Sequence, residues 1–267
     1  MASSTEPRVG LALGGGGAVG VGHIPVFEAF DDLGVRPAAI AGSSIGSVMG
    51  AAYAAGLSGA EIRAHAEALT ENKLSSIFKA WRPGTTIAGG GIDPVRVVSA
   101  LLPEAVPDRI EDLTIPFSIT VTDYHGRAPI YVREGPLRQT LAASIAVPGV
   151  FRTVMLDGVV CTDGGVTDNL PLGALPTVDV TVAVDVATAP IEISDDAPNQ
   201  MVAGLGAMRI MMERLAANTI ERTPPDVLIR VRSRHYTLFD IWKAERILAD
   251  VSKVRGEARD RLAAVLG

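Results

Sequence analysis

The sequence predicts an α/β fold, a three-layer sandwich whose mainly parallel sheet carries helices on both faces. Three observations lead there. Residues 9–13 and 37–41 are short apolar runs, and each is followed by a glycine-rich turn and a helix-like segment. The turns read Gly14-Gly15-Gly16-Gly17-Ala18-Val19-Gly20 and Gly42-Ser43-Ser44-Ile45-Gly46. Residues 178–186 are a Val- and Ala-dominated run interrupted only by Asp179, Thr181 and Asp185, which reads as a strand buried on both faces. In a parallel sheet both turns open at the carboxyl ends of strands, where such folds place ligands.

The remaining elements follow in order. The helix after Ser44 continues through Tyr53 and stops near Gly56, and its small residues allow close packing on the sheet. Residues 59–72 form a more polar helix. The pattern loosens over 77–83 and runs into Gly89-Gly90-Gly91, which reads either as a mobile cap over a substrate mouth or as an ordinary loop anchored by Trp81. A helix is expected over 94–102. Residues 115–124 alternate as a strand, and 128–132 return beside it across His125-Gly126-Arg127. Residues 137–145 read as helix, ended by Val147-Pro148-Gly149. Short strands at 154–156 and 159–162 flank the turn pair Asp157-Gly158. Amphipathic helices at 201–221 and 238–266 enclose a strand at 227–231, and 187–199 is the longest expected loop.

Bulk properties limit the function classes. A chain of 267 residues suffices for one large domain burying roughly three quarters of its unfolded surface, and no composition break divides residues 1–267. Apolar residues make up 48% against 20% charged, which indicates an ordered, largely buried core. The formal charge of −6 opposes nucleic-acid binding and gives no attraction to anionic membrane. The single cysteine, Cys161, excludes an internal disulfide and a cysteine-based metal site. With the absence of a basic-then-apolar leader, it sets the expectation of a cytoplasmic protein. Residues 37–60 are uncharged and long enough for a bilayer span of about 20 residues. Their five glycines and four serines fit a strand, a sharp turn and a soluble helix instead.

The G-x-S-x-G pattern forces a tight strand-to-helix turn in which the hydroxyl of Ser44 stands clear of the backbone. Ser44 is therefore a candidate nucleophile, and it needs a base. His65 on a polar helix face and His125 in a hairpin turn occupy ordinary solvent positions. His235 gives the chain order Ser…Asp…His of the α/β-hydrolases, although it directly continues a strand and the elbow comes early for that fold. The other candidate is Asp163 in Asp163-Gly164-Gly165, which closes an apolar strand and can share the sheet edge with Ser44. The first glycine turn formally matches a dinucleotide fingerprint, but the second strand lacks the acid that holds a ribose. A phosphate P-loop fails because no lysine precedes Lys73. What the turn offers is backbone N–H groups at a helix N-terminus, an arrangement suited to a developing oxyanion.

Taken together, these segments resemble the patatin-like phospholipase family: the glycine turn 15–20, the Ser44 elbow and Asp163-Gly164-Gly165. His23-Ile24-Pro25-Val26, the stretch 143–151 from Ala143 to Phe151, and Asp168-Asn169-Leu170-Pro171-Leu172 are similar as well. The resemblance covers about residues 8–190 and leaves the helices of 200–267 beyond the family core. It implies a patatin-like fold and acyl-ester hydrolysis by a Ser–Asp dyad, Ser44 as nucleophile and Asp163 as base. Gly15, Gly16, Gly17 and Ile45 would form the oxyanion hole and substrate contacts. The implied substrate is a lipid or simple acyl ester, with at most transient membrane contact and no metal or organic cofactor. One departure is Val19, where the family usually carries Arg or Lys; the expectation is weakened or altered activity, which Val19→Arg raises if the missing cation is limiting. A catalytically impaired lipid-binding or regulatory protein on the same fold is the alternative, and a Ser-Asp-His hydrolase a further one.

Three other features have plain structural explanations. Cys161, two residues before Asp163, is expected as buried filler. Met201, Met208, Met211 and Met212 recur near helical spacing and are expected in the core in preference to a lipid groove. Arg230, Arg232 and Arg234 share one strand face and are expected at a solvated edge.

Overall fold

The computed structural model describes residues 7–69, 91–188, 199–233, 236 and 240–267. The expected cap segment, most of the 187–199 loop, Arg234 and His235 lie outside them.

The first apolar run forms β1 (Val9–Leu13), and the second forms β2 (Ala39–Ser43), which reaches two residues beyond its apolar stretch into the elbow. Between them a 3-10 helix, Gly17–His23, leads into α1 (Ile24–Asp32). After the elbow come α2 (Ile45–Ala54) and α3 (Gly59–Ala68). A capping box starts α3, with Ser58 and Glu61 each satisfying the other's backbone N–H. Helix α4 (Pro94–Leu101) has proline in its first turn and Asp93 as its cap.

Strands β3 (Phe117–Asp123) and β4 (Ala128–Val132) form the expected antiparallel pair, followed by α5 (Leu137–Ser144). Strands β5 (Val154–Leu156) and β6 (Val159–Asp163) form a hairpin in which both Asp157 and Gly158 take positive φ. The long strand β7 (Val180–Thr188), helix α6 (Gln200–Arg222) and strand β8 (Val227–Ser233) come next. The last expected helix is divided into a 3-10 turn (Asp240–Lys243), α7 (Ala244–Asp250) and α8 (Val254–Leu266). Its buried positions Ile247, Val251, Val254, Ala258 and Leu262 keep one apolar stripe across the break. That unbroken stripe hides the interruption, which falls at the weak helix formers Asp250-Val251-Ser252.

The eight strands make one sheet with hydrogen-bonded order β5-β6-β3-β2-β1-β7-β8, and β4 also pairs with β3. The pairs β2–β3, β1–β2, β1–β7 and β7–β8 are parallel. Alternation along the central strands sends side chains to two separate apolar clusters. Leu11, Leu13, Val182, Val184 and Ile229 face the larger one, beneath α1 and α8. Ala12 and Ala183 face a smaller one built with Leu170, Leu172 and Ala216 of α6. The sheet is thus covered on both faces, as the sequence predicts.

Register places the site. Residues 121–123 of β3 pair with both β4 and β6, so those two strands take opposite edges of β3. Thr120 pairs with both Tyr131 of β4 and Ser43 of β2, so β2 lies on the edge that β6 uses. Strands β2 and β6 therefore run toward each other along one edge and stop one residue apart, Ser43 opposite Thr120 and Asp163 opposite Val121. No helix among the described residues is long and apolar enough to cross a membrane.

Candidate active site

Ser44 stands at the end of β2 with φ 51° and ψ −128°, a conformation that costs a non-glycine residue of order 1–3 kcal/mol. Close packing on either side maintains it. A Cβ on Gly46 would lie 2.4 Å from the Leu13 carbonyl oxygen, and one on Gly42 would lie 2.6 Å from Ser47 Cα. A serine at a helix N-cap ordinarily turns its hydroxyl onto its own helix. Ser44 makes no such bond; its Oγ donates to Asp163 Oδ2 at 2.8 Å.

Asp163 is wholly buried, while Ser44 keeps 7% of its surface exposed. The second carboxylate oxygen, Oδ1, accepts from Gly165 N–H at 2.8 Å, and Asp163 N–H donates to Ala146 O at 3.1 Å. Burial pushes the Asp163 pKa up to about 7, against the two hydrogen bonds that favour the ionised form. The Ser44 amide donates to Ser144 Oγ at 2.9 Å, and Ser144 Oγ donates in turn to Thr120 O at 2.7 Å.

The first glycine turn lies beside the elbow. Gly14 N–H donates to Val184 O, and Gly15 N–H donates to Asn169 O at 3.1 Å. Gly15 is thereby removed from the three glycine amides expected as donors to an oxyanion, although it still lines the cavity. Gly16 and Gly17 precede the first intrahelical donor of the 3-10 helix, so their amides have no acceptor within it. Ile45 is the first residue of α2 and its amide is in the same position.

His23, which precedes Ser44 in the chain, supports this turn. It is wholly buried, its Nε2 is 3.0 Å from Gly14 O, and burial pushes its pKa down to about 4. At neutral pH it is an uncharged imidazole donating from Nε2. Its signature in the sequence is His23-Ile24-Pro25-Val26 after the glycine turn.

A cavity of about 80 Å³ opens over Ser44. Gly15, Gly16 and Gly17 form one side, and Ile45, Ile145, Phe151 and Met208 contribute to an apolar wall. Its polar rim holds Asn169 and the Arg209–Glu213 ion pair, 3.0 Å apart. Met208 and Met212 line this space and Met211 is 60% exposed, which corrects the expectation that these methionines belong to the core.

Val19 also differs from expectation. Its side chain is wholly buried in the larger apolar cluster and does not line the cavity, so arginine there would place a cation in the core. Cys161 is buried as expected. His65 bonds the Leu101 carbonyl at 3.0 Å, and His125 is exposed at its turn. Arg230 is exposed, whereas Arg232 is paired with Asp185.

A mostly parallel sheet covered on both faces, with an elbow serine that lines an apolar cavity and bonds a buried carboxylate, defines the class: a three-layer α/β protein. The profile of the patatin-like phospholipase family matches residues 11–176, and the chain belongs to that family. An uncharacterized NTE family protein of Mycobacterium tuberculosis is 37% identical over 183 residues, 68% of this chain and 49% of that protein. Lysophospholipase NTE1 of Yarrowia lipolytica is 30% identical over 77% of this chain and 14% of its own length. The chain thus spans at most about half the length of these relatives. Among solved structures, VipD from Legionella pneumophila has a TM-score of 0.52 at 13% identity, covering 97% of this chain and 67% of VipD. ExoU from Pseudomonas aeruginosa, crystallised with SpcU, has a TM-score of 0.50 at 13% identity, covering 98% and 53%. These two likenesses bear on the fold alone.

Proposed function

We propose that this chain is a serine acyl-ester hydrolase acting on lipid esters, with Ser44 as nucleophile and Asp163 as its base. The observation that carries this reading is the 2.8 Å hydrogen bond to a buried carboxylate from the Oγ of Ser44, a residue that lines an apolar cavity. Membership of the patatin-like phospholipase family and similarity to proteins named lysophospholipases support a lipid ester as substrate. The same reading takes residues 1–267 as one domain, since one apolar cluster joins Val9 of β1 to Leu262 of α8.

In the first half-reaction Ser44 Oγ attacks the ester carbonyl carbon and its proton passes to Asp163 Oδ2. A carboxylate with a pKa near 7 is well matched to this transfer at neutral pH. The carbonyl electron pair becomes an oxyanion beside the amides of Gly16, Gly17 and Ile45. Collapse of the tetrahedral intermediate breaks the ester C–O bond, and the departing alcohol oxygen takes the proton back from Asp163. Water then attacks the acyl-serine, gives its proton to Asp163, and Ser44 Oγ leaves with that proton. The oxyanion donors act where charge develops, and each is worth about a hundred- to thousand-fold in turnover.

A fluorophosphonate probe tests the assignment directly. The wild type is expected to label at Ser44 and to hydrolyse nitrophenyl esters, and Ser44→Ala to lose both. A folded wild type that neither labels nor turns over these esters would replace this reading with a non-catalytic lipid-binding protein.

A further inference from the structure

The parallel ladder between β2 and β3 ends with Ser43 opposite Thr120. Ile40 N–H donates to Pro116 O at 2.9 Å. Parallel pairing repeats this bond every two residues, so Gly42 N–H faces Ser118 O and Ser44 N–H is due to face Thr120 O. At that last step the hydroxyl of Ser144 stands between donor and acceptor. It accepts from Ser44 N–H at 2.9 Å and donates to Thr120 O at 2.7 Å.

Ser144 belongs to α5, not to either strand, and is wholly buried. Its hydroxyl satisfies one buried donor and one buried acceptor. The insertion coincides with the departure of the chain from the sheet and with the positive φ of Ser44. It also coincides with the point on the β3 edge where Asp163 arrives from the opposite direction and pairs with Val121.

We propose that Ser144 is a positioning residue for the nucleophile, a hydroxyl wedge in the β2–β3 ladder that keeps Ser44 in its elbow conformation facing Asp163. The strain of that conformation needs an opposing constraint. Without the wedge, Ser44 N–H and Thr120 O lose their shared partner and can close on each other, which shifts the elbow backbone and turns Ser44 Oγ from the carboxylate. The inference rests on the hydrolase reading only for its kinetic consequence; the backbone consequence stands alone.

The experiment compares Ser144→Ala and Ser144→Thr with the wild type. Fluorophosphonate labelling rates are scored per folded protein, alongside kcat and KM on a short nitrophenyl ester. Ser144→Ala is expected to label about tenfold more slowly or worse, since misplacement of about an ångström can cost a hundredfold. Its kcat should fall in parallel, with KM within about twofold, because the binding cavity is untouched and only the alignment of the attacking atom is lost. Ser144→Thr, which keeps the hydroxyl, should recover most of the rate. A role confined to stability would lower the melting temperature of Ser144→Ala and leave the rate per folded molecule unchanged, and that result overturns the proposal. So does a threonine variant as slow as the alanine one. If Ser144→Ala does not fold, Ser144→Cys replaces it, and labelling at the wild-type rate overturns the proposal. A crystal structure of the alanine or cysteine variant gives a readout free of activity. Ser44 N is expected within hydrogen-bond distance of Thr120 O in Ser144→Ala, or displaced toward it in Ser144→Cys; an unchanged elbow refutes the wedge. Failure of the wild type itself to label would count against the hydrolase reading and leave this structural test in force.

Discussion

Ser43 and Asp163 are end-to-end neighbours on one edge of β3, paired with the consecutive residues Thr120 and Val121. The proximity of Ser44 to Asp163 therefore comes from strand register, not from flexible loops. A parallel strand and an antiparallel strand approach along the same edge and stop before colliding. The last residue of β6 and the first residue after β2 meet at the junction, with Ser44 Oγ 2.8 Å from Asp163 Oδ2. A slip of one residue in either strand would turn its side chains to the opposite face. The following expectations depend on this junction and its surroundings.

Activity should rise with pH through neutrality. Asp163 accepts a proton only when ionised, and burial holds its pKa at about 7. The rate kcat/KM on a short ester is expected to be low near pH 5, to increase about tenfold per unit on the acid limb, and to level off above pH 8. Asp163→Asn should abolish turnover at every pH. A flat profile between pH 5 and 8, measured with an uncharged ester, would contradict the role of Asp163 as base.

Stability should move the other way. The Asp163 pKa is raised above its ordinary value of 3.8, so the folded state holds the proton more tightly than the unfolded state does. Its contribution is complete below the unfolded pKa and is lost as pH rises through about 7. Between pH 5 and 8.5 that loss amounts to about 2–3 kcal/mol. Asp163→Asn has no such loss, so its stability relative to the wild type should improve with pH in denaturant titrations. An advantage that stays constant with pH would assign the buried proton elsewhere.

Val19→Arg should destabilise the protein without raising turnover. The valine side chain has no exposed surface and packs in the larger apolar cluster. A guanidinium there lacks a partner, a defect that costs several kcal/mol. Thermal denaturation should show a large fall in melting temperature, and the residual folded fraction should be no more active than the wild type.

The sequence and the structure agree most closely where information is local. Apolar runs gave the strands within about two residues, and the Gly42 and Gly46 spacing revealed the elbow because both glycines are demanded by nearby backbone. The motif Asp163-Gly164-Gly165 located the carboxylate, but its meeting with Ser44 depends on two strands sharing an edge of β3, a non-local fact of register. Ser144 was similarly concealed, since a serine near the end of a helix carries no local sign that its hydroxyl will enter another element's ladder. Side-chain direction accounts for the other differences. Val19 shares a turn with the glycines but faces the core, and Met208 and Met212 face the cavity although helical spacing alone also suits a core position.

That direction makes Met208 a test of how the cavity selects its acyl group. Its flexible thioether lines the space over Ser44 together with Ile145 and Phe151, so it can adapt to different chains. Met208→Phe introduces a rigid ring into a cavity of only about 80 Å³ and should exclude longer acyl groups first. A methylene in a hydrophobic pocket is worth about 1–3 kcal/mol in discrimination. Nitrophenyl octanoate is therefore expected to lose at least about tenfold in kcat/KM while nitrophenyl acetate, which needs little of the cavity, changes by less than about threefold. Equal losses on both esters would mean that the substitution disturbs Ser44 itself. No change on either would place the acyl chain away from α6, on a path that avoids this wall.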